Sequence, residues 1–226
     1  MFFIDLLFLT EMSVSKPNCK LIFKEAYESR YTWPTTFKGY GGKCIFLDKD
    51  KSLQGEFILG SNLKPQIIKI SDNEIVKGIS SQLFEVAIHR VKREFNEIHK
   101  NNDFKFLGES EKGLEIEVVG KNKGDKYIVK EKKINMVFRK IHGVIIEIFV
   151  EEFIDTGDGF LSNKYTSQQL DVDNFTPKSS KFEYEDNFVK LGINNIWVLE
   201  SRTIKFLDKN NEEKKVNYIF KELLLK

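Results

Sequence analysis

Nine short apolar runs follow one another from residue 104 onward: FKFLGES, GLEIEVVG, DKYIVKEK, INMVFRK, GVIIEIFVEEF, KYTSQQLDV, SKFEYEDNFVKL, IWVLESRTIKFL and KKVNYIFKELLL. Polar or glycine-bearing links such as SEKG, GKNKG, DTGDG, GINN and DKNNEE separate them. Closely spaced strands joined by tight turns require an antiparallel meander, because parallel strands need long crossovers. Three further strand-like runs lie between Phe37 and Ile70, with DKDKS as a hairpin turn and Pro65 at an irregular strand start. So many strands exceed what a flat open sheet carries, and the sheet must curl.

One long helix-like segment, DNEIVKGISSQLFEVAIHRVKREFNEIH, interrupts the strands and is capped by Asp72 or Asn73. On a helical wheel, Ile79, Leu83 and Val86 form one apolar arc. Phe84, Ile88, Val91 and Phe95 form a second, and Ala87 and Ile98 bridge the two. An apolar surface that wide predicts a helix clasped by a curved sheet, with Arg90 and Glu94 as a partly buried ion pair. A shorter helix is expected over Lys16 to Tyr31, with Pro17 in its first turn and Pro34 preventing its extension past Trp33. The predicted class is α+β: a strongly curved antiparallel half-barrel or open barrel wrapped around one long helix, with a short N-terminal helix.

The 226 residues suit a single curved-sheet domain over residues 16–226, and 20 phenylalanines supply ample core. Residues 1–15 read as an extension, either upstream of a true start at Met12 or forming a short membrane-surface segment. The apolar run there lacks a basic flank, carries Asp5 and is too short to span a bilayer. A net charge of +2 gives no electrostatic case for nucleic acid. Cys19 and Cys44 have no CxxC spacing and are expected as free thiols.

No GxGxxG, Walker loop, GxSxG, HExxH or paired CxxC occurs, so no cofactor is expected. His89, His99 and His142 lack metal-ligand spacing, and DTGDGF departs from a calcium loop, so no metal is expected either. Glu85, His89 and Arg93 recur one turn apart on the long helix. They read as a solvent-facing stripe or as the lining of the mouth of the sheet, where His89 beside Glu85 could serve as acid or base. His142, in RKIHGV, reads as a hairpin-turn residue or a second mouth residue. In RYTWP, Tyr31 and Trp33 close one end of the sheet. Arg30 is there either a donor offered to a ligand or a cap paired to a carboxylate such as Glu85.

The ordered segments EAYESRYTWP, TFKGY, QLFEVAIHRVKREF, GDKYIV, RKIHGV and DTGDGFLSNKY resemble a family of uncharacterised proteins, a domain of unknown function common in cyanobacteria. Within that pattern the matching positions here are Arg30 to Trp33, His89-Arg90 and His142-Gly143. The order of helix, strands, long helix and many strands is also similar to LolA-like half-barrels, in which a curved sheet wraps a helix and opens an apolar cavity. The first resemblance implies no reaction, and the second implies a fold.

Three functions follow as expectations. The first is a non-catalytic carrier of an apolar small molecule, a lipid or pigment, with Arg30, Tyr31, Trp33, His89, Arg93 and His142 as ligand-binding residues. The second is an assembly factor that docks a protein partner through its surface. The third is an enzyme using His89 or His142 with Glu85. The expected location is cytoplasmic, with peripheral contact to photosynthetic membranes but no integral span.

Overall fold

The computed structural model describes residues 16–226. The expected extension over residues 1–15, with its start at Met12, lies outside them. Twelve antiparallel strands form one curved, unclosed sheet in the order β3-β2-β1-β12-β11-β10-β9-β8-β7-β6-β5-β4. Three strands precede the long helix: β1 (Gly39–Asp48), β2 (Lys51–Gly60) and β3 (Pro65–Ile68). Nine follow it: β4 (Asn102–Ser110), β5 (Gly113–Gly120), β6 (Lys126–Lys130), β7 (Lys133–Ile141), β8 (Val144–Asp155), β9 (Phe160–Leu170), β10 (Phe182–Leu191), β11 (Ile196–Leu207) and β12 (Glu213–Leu225). The sole non-sequential pairing is β1 with β12, which joins the two ends of the chain in the middle of the sheet.

The long helix α2 (Asn73–Arg90) begins where Asp72 accepts hydrogen bonds from the N–H groups of Glu74 and Ile75. It ends earlier than its apolar period predicts. The Trp33 N–H donates to the Arg90 carbonyl at 2.7 Å, and Val91 turns extended at ψ 124°. A separate turn, α3 (Phe95–Ile98), follows, with Glu94 at its start. The expected Arg90–Glu94 pair therefore does not form, because the two residues no longer share a helix; Glu94 meets Lys92 instead, at 3.6 Å. The first helix, α1 (Cys19–Glu28), is capped by Asn18 and is shorter than expected, with Pro17 lying before the cap.

The helices divide the concave face between two cores. α2 buries Ile79, Leu83, Val86 and Ala87 against β1, β2 and β10 to β12, with Phe57, Leu199 and Phe220 at the centre. α1 and α3 bury Phe23, Ala26 and Phe95 against β4 to β7, with Ile116, Val118 and Tyr127. Cys19 and Cys44 are free and buried, one in each core. Strand register shows that both cores lie on one face. Ile116, Tyr127, Val137, Ile148 and Ser167 pair in one row. Two residues along, Val150, Tyr165, Tyr184, Ile204 and Val216 pair in the next. No helix among the described residues is long and apolar enough to cross a membrane.

Candidate ligand site on the concave face

Between the two cores the sheet is left uncovered. α1 packs on β4, β6 and β7, and α2 on β1 and β3; β8 falls between them. Its inward side chains Ile146, Ile148 and Val150 are only half-buried. The second arc predicted on the long helix is uncovered as well: Phe84 keeps 45% of its surface exposed. At 100° per residue, Phe84 and Ile88 point away from the Ile79–Leu83–Val86 stripe that meets the sheet. Apolar side chains thus line the open part of the concavity on its sheet side. Two shallow hollows occur on the opposite face, one lined by Lys164, Glu183 and Thr203, the other by Lys43, Ile58 and Leu224.

The RYTWP segment sits at one end of this gap. The Tyr31 N–H donates to the Phe160 carbonyl, and the Phe160 N–H to the Ser29 carbonyl, at 3.0 and 2.8 Å. The DTGDG turn of the β8–β9 hairpin is thereby docked on the segment that leaves α1. Gly159 allows the approach: at φ 133°, a Cβ there would lie 2.8 Å from the Ser29 carbonyl and the Tyr31 nitrogen. Tyr31 and Trp33 are 4% and 5% exposed and belong to the α2 core. Trp33 Nε1 donates to the Trp197 carbonyl at 2.8 Å, and the Tyr31 hydroxyl accepts from the Trp197 N–H at 3.0 Å. They seal the end of the sheet.

Arg30 is not paired to Glu85. Its guanidinium stacks on the Tyr27 ring at 3.8 Å and its Nε donates to the Tyr27 carbonyl. Glu85 is engaged elsewhere, accepting from the Tyr165 hydroxyl at 3.3 Å and lying 3.5 Å from Arg202. No hydrogen bond joins Glu85 to His89, so the acid–base pairing considered for an enzyme is not assembled. His89 is open to solvent at the end of α2, and its pKa is held down to about 4 by enclosure of the ring, then by Arg90, Arg30, Arg139 and Arg93. The positive field of the four arginines acts in the same direction. Arg93 is exposed, without an ion pair among the described residues. His142 occupies the β7–β8 turn at φ 49°, exposed, and no contact connects it to Arg30 or His89.

Several residues that sequence reasoning did not single out shape the region. Arg202, 1% exposed, holds Asp186 through two 2.7 Å hydrogen bonds and also donates to Tyr165 and Gln82, tying α2 to β9, β10 and β11. Arg139 on β7 donates to the buried Asp125 at 2.9 Å. His99 is boxed by Phe23, Tyr27, Phe95 and Phe104, with its Nδ1 3.1 Å from the Asn102 amide. An arginine on an apolar helix stripe was the one readable signal here, and it was Arg90.

The profile of the family described as "Protein of unknown function (DUF3386)" matches residues 14–225. No curated protein matches the sequence. Among solved structures, a putative outer membrane lipoprotein-sorting protein domain from Vibrio parahaemolyticus is similar at 8% identity and a TM-score of 0.29, covering 92% of each chain. A LolA superfamily protein from Nitrosomonas europaea is similar at 8% identity and a TM-score of 0.28, covering 93% of this chain and 94% of its own. The Pseudomonas aeruginosa MucA/MucB complex gives 8% identity and a TM-score of 0.23, with 91% and 92% coverage. Likeness at this level is confined to the fold.

Proposed function

The chain belongs to that family of unknown function, and from that premise we propose that it is a non-catalytic carrier of a small molecule with a long apolar part, such as a lipid or pigment. The ligand lies along the uncovered stretch of the concave face, over Ile146, Ile148 and Val150. The observation that carries this reading is that an aliphatic row lies between two well-packed cores, on the same face as both, and is covered by neither. A chain laid there removes apolar surface from water on both sides, worth about 0.8 kcal/mol for each buried methylene. Arg30, His89 and Arg93 stand where α1 and α2 end and supply polar partners for one end of the ligand. Tyr31 and Trp33 support the site from within the core, and His142 is not required by it.

Binding of the neutral fluorophore N-phenyl-1-naphthylamine tests this reading. The expected result is saturable binding that Ile148→Asp weakens at least tenfold, because a carboxylate would then sit in the apolar row. Ile193→Asp, in the β10–β11 turn where Ile193 is 96% exposed, is expected to bind as the wild type does. Equal binding by Ile148→Asp, or none by the wild type, would contradict the reading.

A further inference from the structure

Five of the chain's 36 basic residues are arginines, and four of them, Arg30, Arg90, Arg93 and Arg139, surround His89 at the end of α2. Arg30 leaves α1, Arg90 ends α2, Arg93 follows it, and Arg139 and Arg202 rise from β7 and β11. Lysine serves the rest of the surface. Arginine is the residue suited to buried, two-pronged recognition of carboxylate and phosphate. Two of the five have such partners: Arg139 holds Asp125, and Arg202 holds Asp186 and Glu85. Arg30, Arg90 and Arg93 make no ion pair among the described residues.

Arg90 is the most telling of the three. It is 7% exposed, one Nη1 hydrogen bond runs to the Tyr31 carbonyl at 3.2 Å, and Phe188 lies 5.9 Å from the guanidinium carbon. Its Nε is buried without a partner. The helix C-terminus and the Tyr31 carbonyl offset part of this buried charge, but no anion completes it. Tyr31 links the two in the chain: its carbonyl receives Arg90, and Arg30 is the residue before it.

Two other buried polar atoms without partners are the Oδ1 atoms of Asn135 and Asn163. Each residue is skipped by a register shift, Asn135 between β6 and β7 and Asn163 between β8 and β9. They stand on the strands either side of β8. Asn163 lies between Leu161 and Tyr165, the two β9 residues that pack toward α2. An amide turned about its last bond offers N–H instead of oxygen, so both residues can donate to an acceptor. Bulges that redirect a side chain are common beside binding sites. Burial, then the neighbouring Arg30, lower the Arg90 pKa to about 10, with Asp186 acting in the opposite direction.

We propose that the ligand is an anionic amphiphile whose carboxylate or phosphate head is received between Arg30 and Arg90, with its chain along β8. The inference rests on the carrier reading and adds the charge and position of the head group. Arg93, exposed at the entrance, draws the anion in, and the head group completes the ion pairing that Arg90 lacks.

Displacement of N-phenyl-1-naphthylamine by oleate, oleyl alcohol and inorganic phosphate tests it on the full chain. Oleate is expected to displace the probe at least tenfold more effectively than oleyl alcohol, since a hydrogen bond to a charged group is worth about a tenfold change or more. Arg30→Gln is expected to remove that preference, and Lys209→Gln, in a distant turn, to keep it. Arg90→Gln is read only if its thermal unfolding stays cooperative; Arg93→Gln, at an exposed position, gives a partial loss in either case. Protection from thermal unfolding by phosphate alone would show a free-anion site and overturn the amphiphile. Equal displacement by oleate and oleyl alcohol would overturn the anionic head while leaving the carrier reading intact. Failure of the probe itself to bind would instead remove the carrier reading and this inference together.

Discussion

Replacing Arg202 by Met should be among the most damaging single changes in this protein, and the structure gives the size of the effect. The guanidinium, 1% exposed, makes two hydrogen bonds to Asp186, itself 2% exposed, and further ones to Tyr165 and Gln82. Methionine fills much of the arginine's volume, so little of the loss comes from a cavity. What remains is a buried carboxylate with no counter-charge. Breaking such a pair from one side costs about 3–5 kcal/mol, a large part of the roughly 5–15 kcal/mol that stabilises a whole domain. The double variant Arg202→Met, Asp186→Leu removes both charges and should recover most of the loss, leaving the cost of the donor that the Tyr165 and Gln82 oxygens each lose. Urea unfolding followed by tryptophan fluorescence measures both, with an unchanged dependence on denaturant. A cost below about 1 kcal/mol for Arg202→Met, or a double variant worse than the single, would refute the reasoning.

Other outcomes follow from the same structure. His99 accepts a hydrogen bond at Nδ1 in its aromatic box, and burial, then Arg139 and Arg30, hold its pKa down to about 4 against an ordinary 6.5. The unfolded chain therefore takes up this proton first. The contribution of His99 is complete above pH 6.5, declines as pH falls toward 4, and amounts to about 3 kcal/mol at most; an NMR titration showing its ring protonating near 6.5 would contradict this. Ile79→Ala should cost about 2–5 kcal/mol, while Phe84→Ala, five residues along, should cost under about 1 kcal/mol, because only the first is packed; calorimetry compares them. Gly159→Ala should cost about 1–3 kcal/mol by crowding the Ser29–Tyr31 backbone, read as a lowered Tm.

The meander was legible because its information is local. Each strand carries its own apolar alternation and each turn its own glycine or Asn-rich break, so the strands and the antiparallel pairing of chain neighbours could be read without tertiary knowledge, whereas the β1–β12 pairing could not. The buried stripe of α2 was legible for the same reason. Its end was not, since the helix stops at Arg90 through a hydrogen bond from Trp33, 57 residues earlier, and no pattern inside the helix announces that. Partner choice was equally invisible. Glu85 could have met Arg30, His89 or Arg202, and only the β9–β11 register decides for Arg202. The two cores escaped notice because the wide apolar surface of the long segment suggested one helix filling the whole sheet. Part of that width, at Phe84 and Ile88, is instead turned away from the sheet.

The most direct measurement of the carrier reading is native mass spectrometry of the protein purified from its own cells, compared with the same sample denatured. The expected result is an intact mass exceeding that of the chain by one small amphiphile, lost on denaturation, with the excess reduced in Ile148→Asp. A clean chain mass from cells, with no binding of the neutral probe to the purified protein, would contradict it.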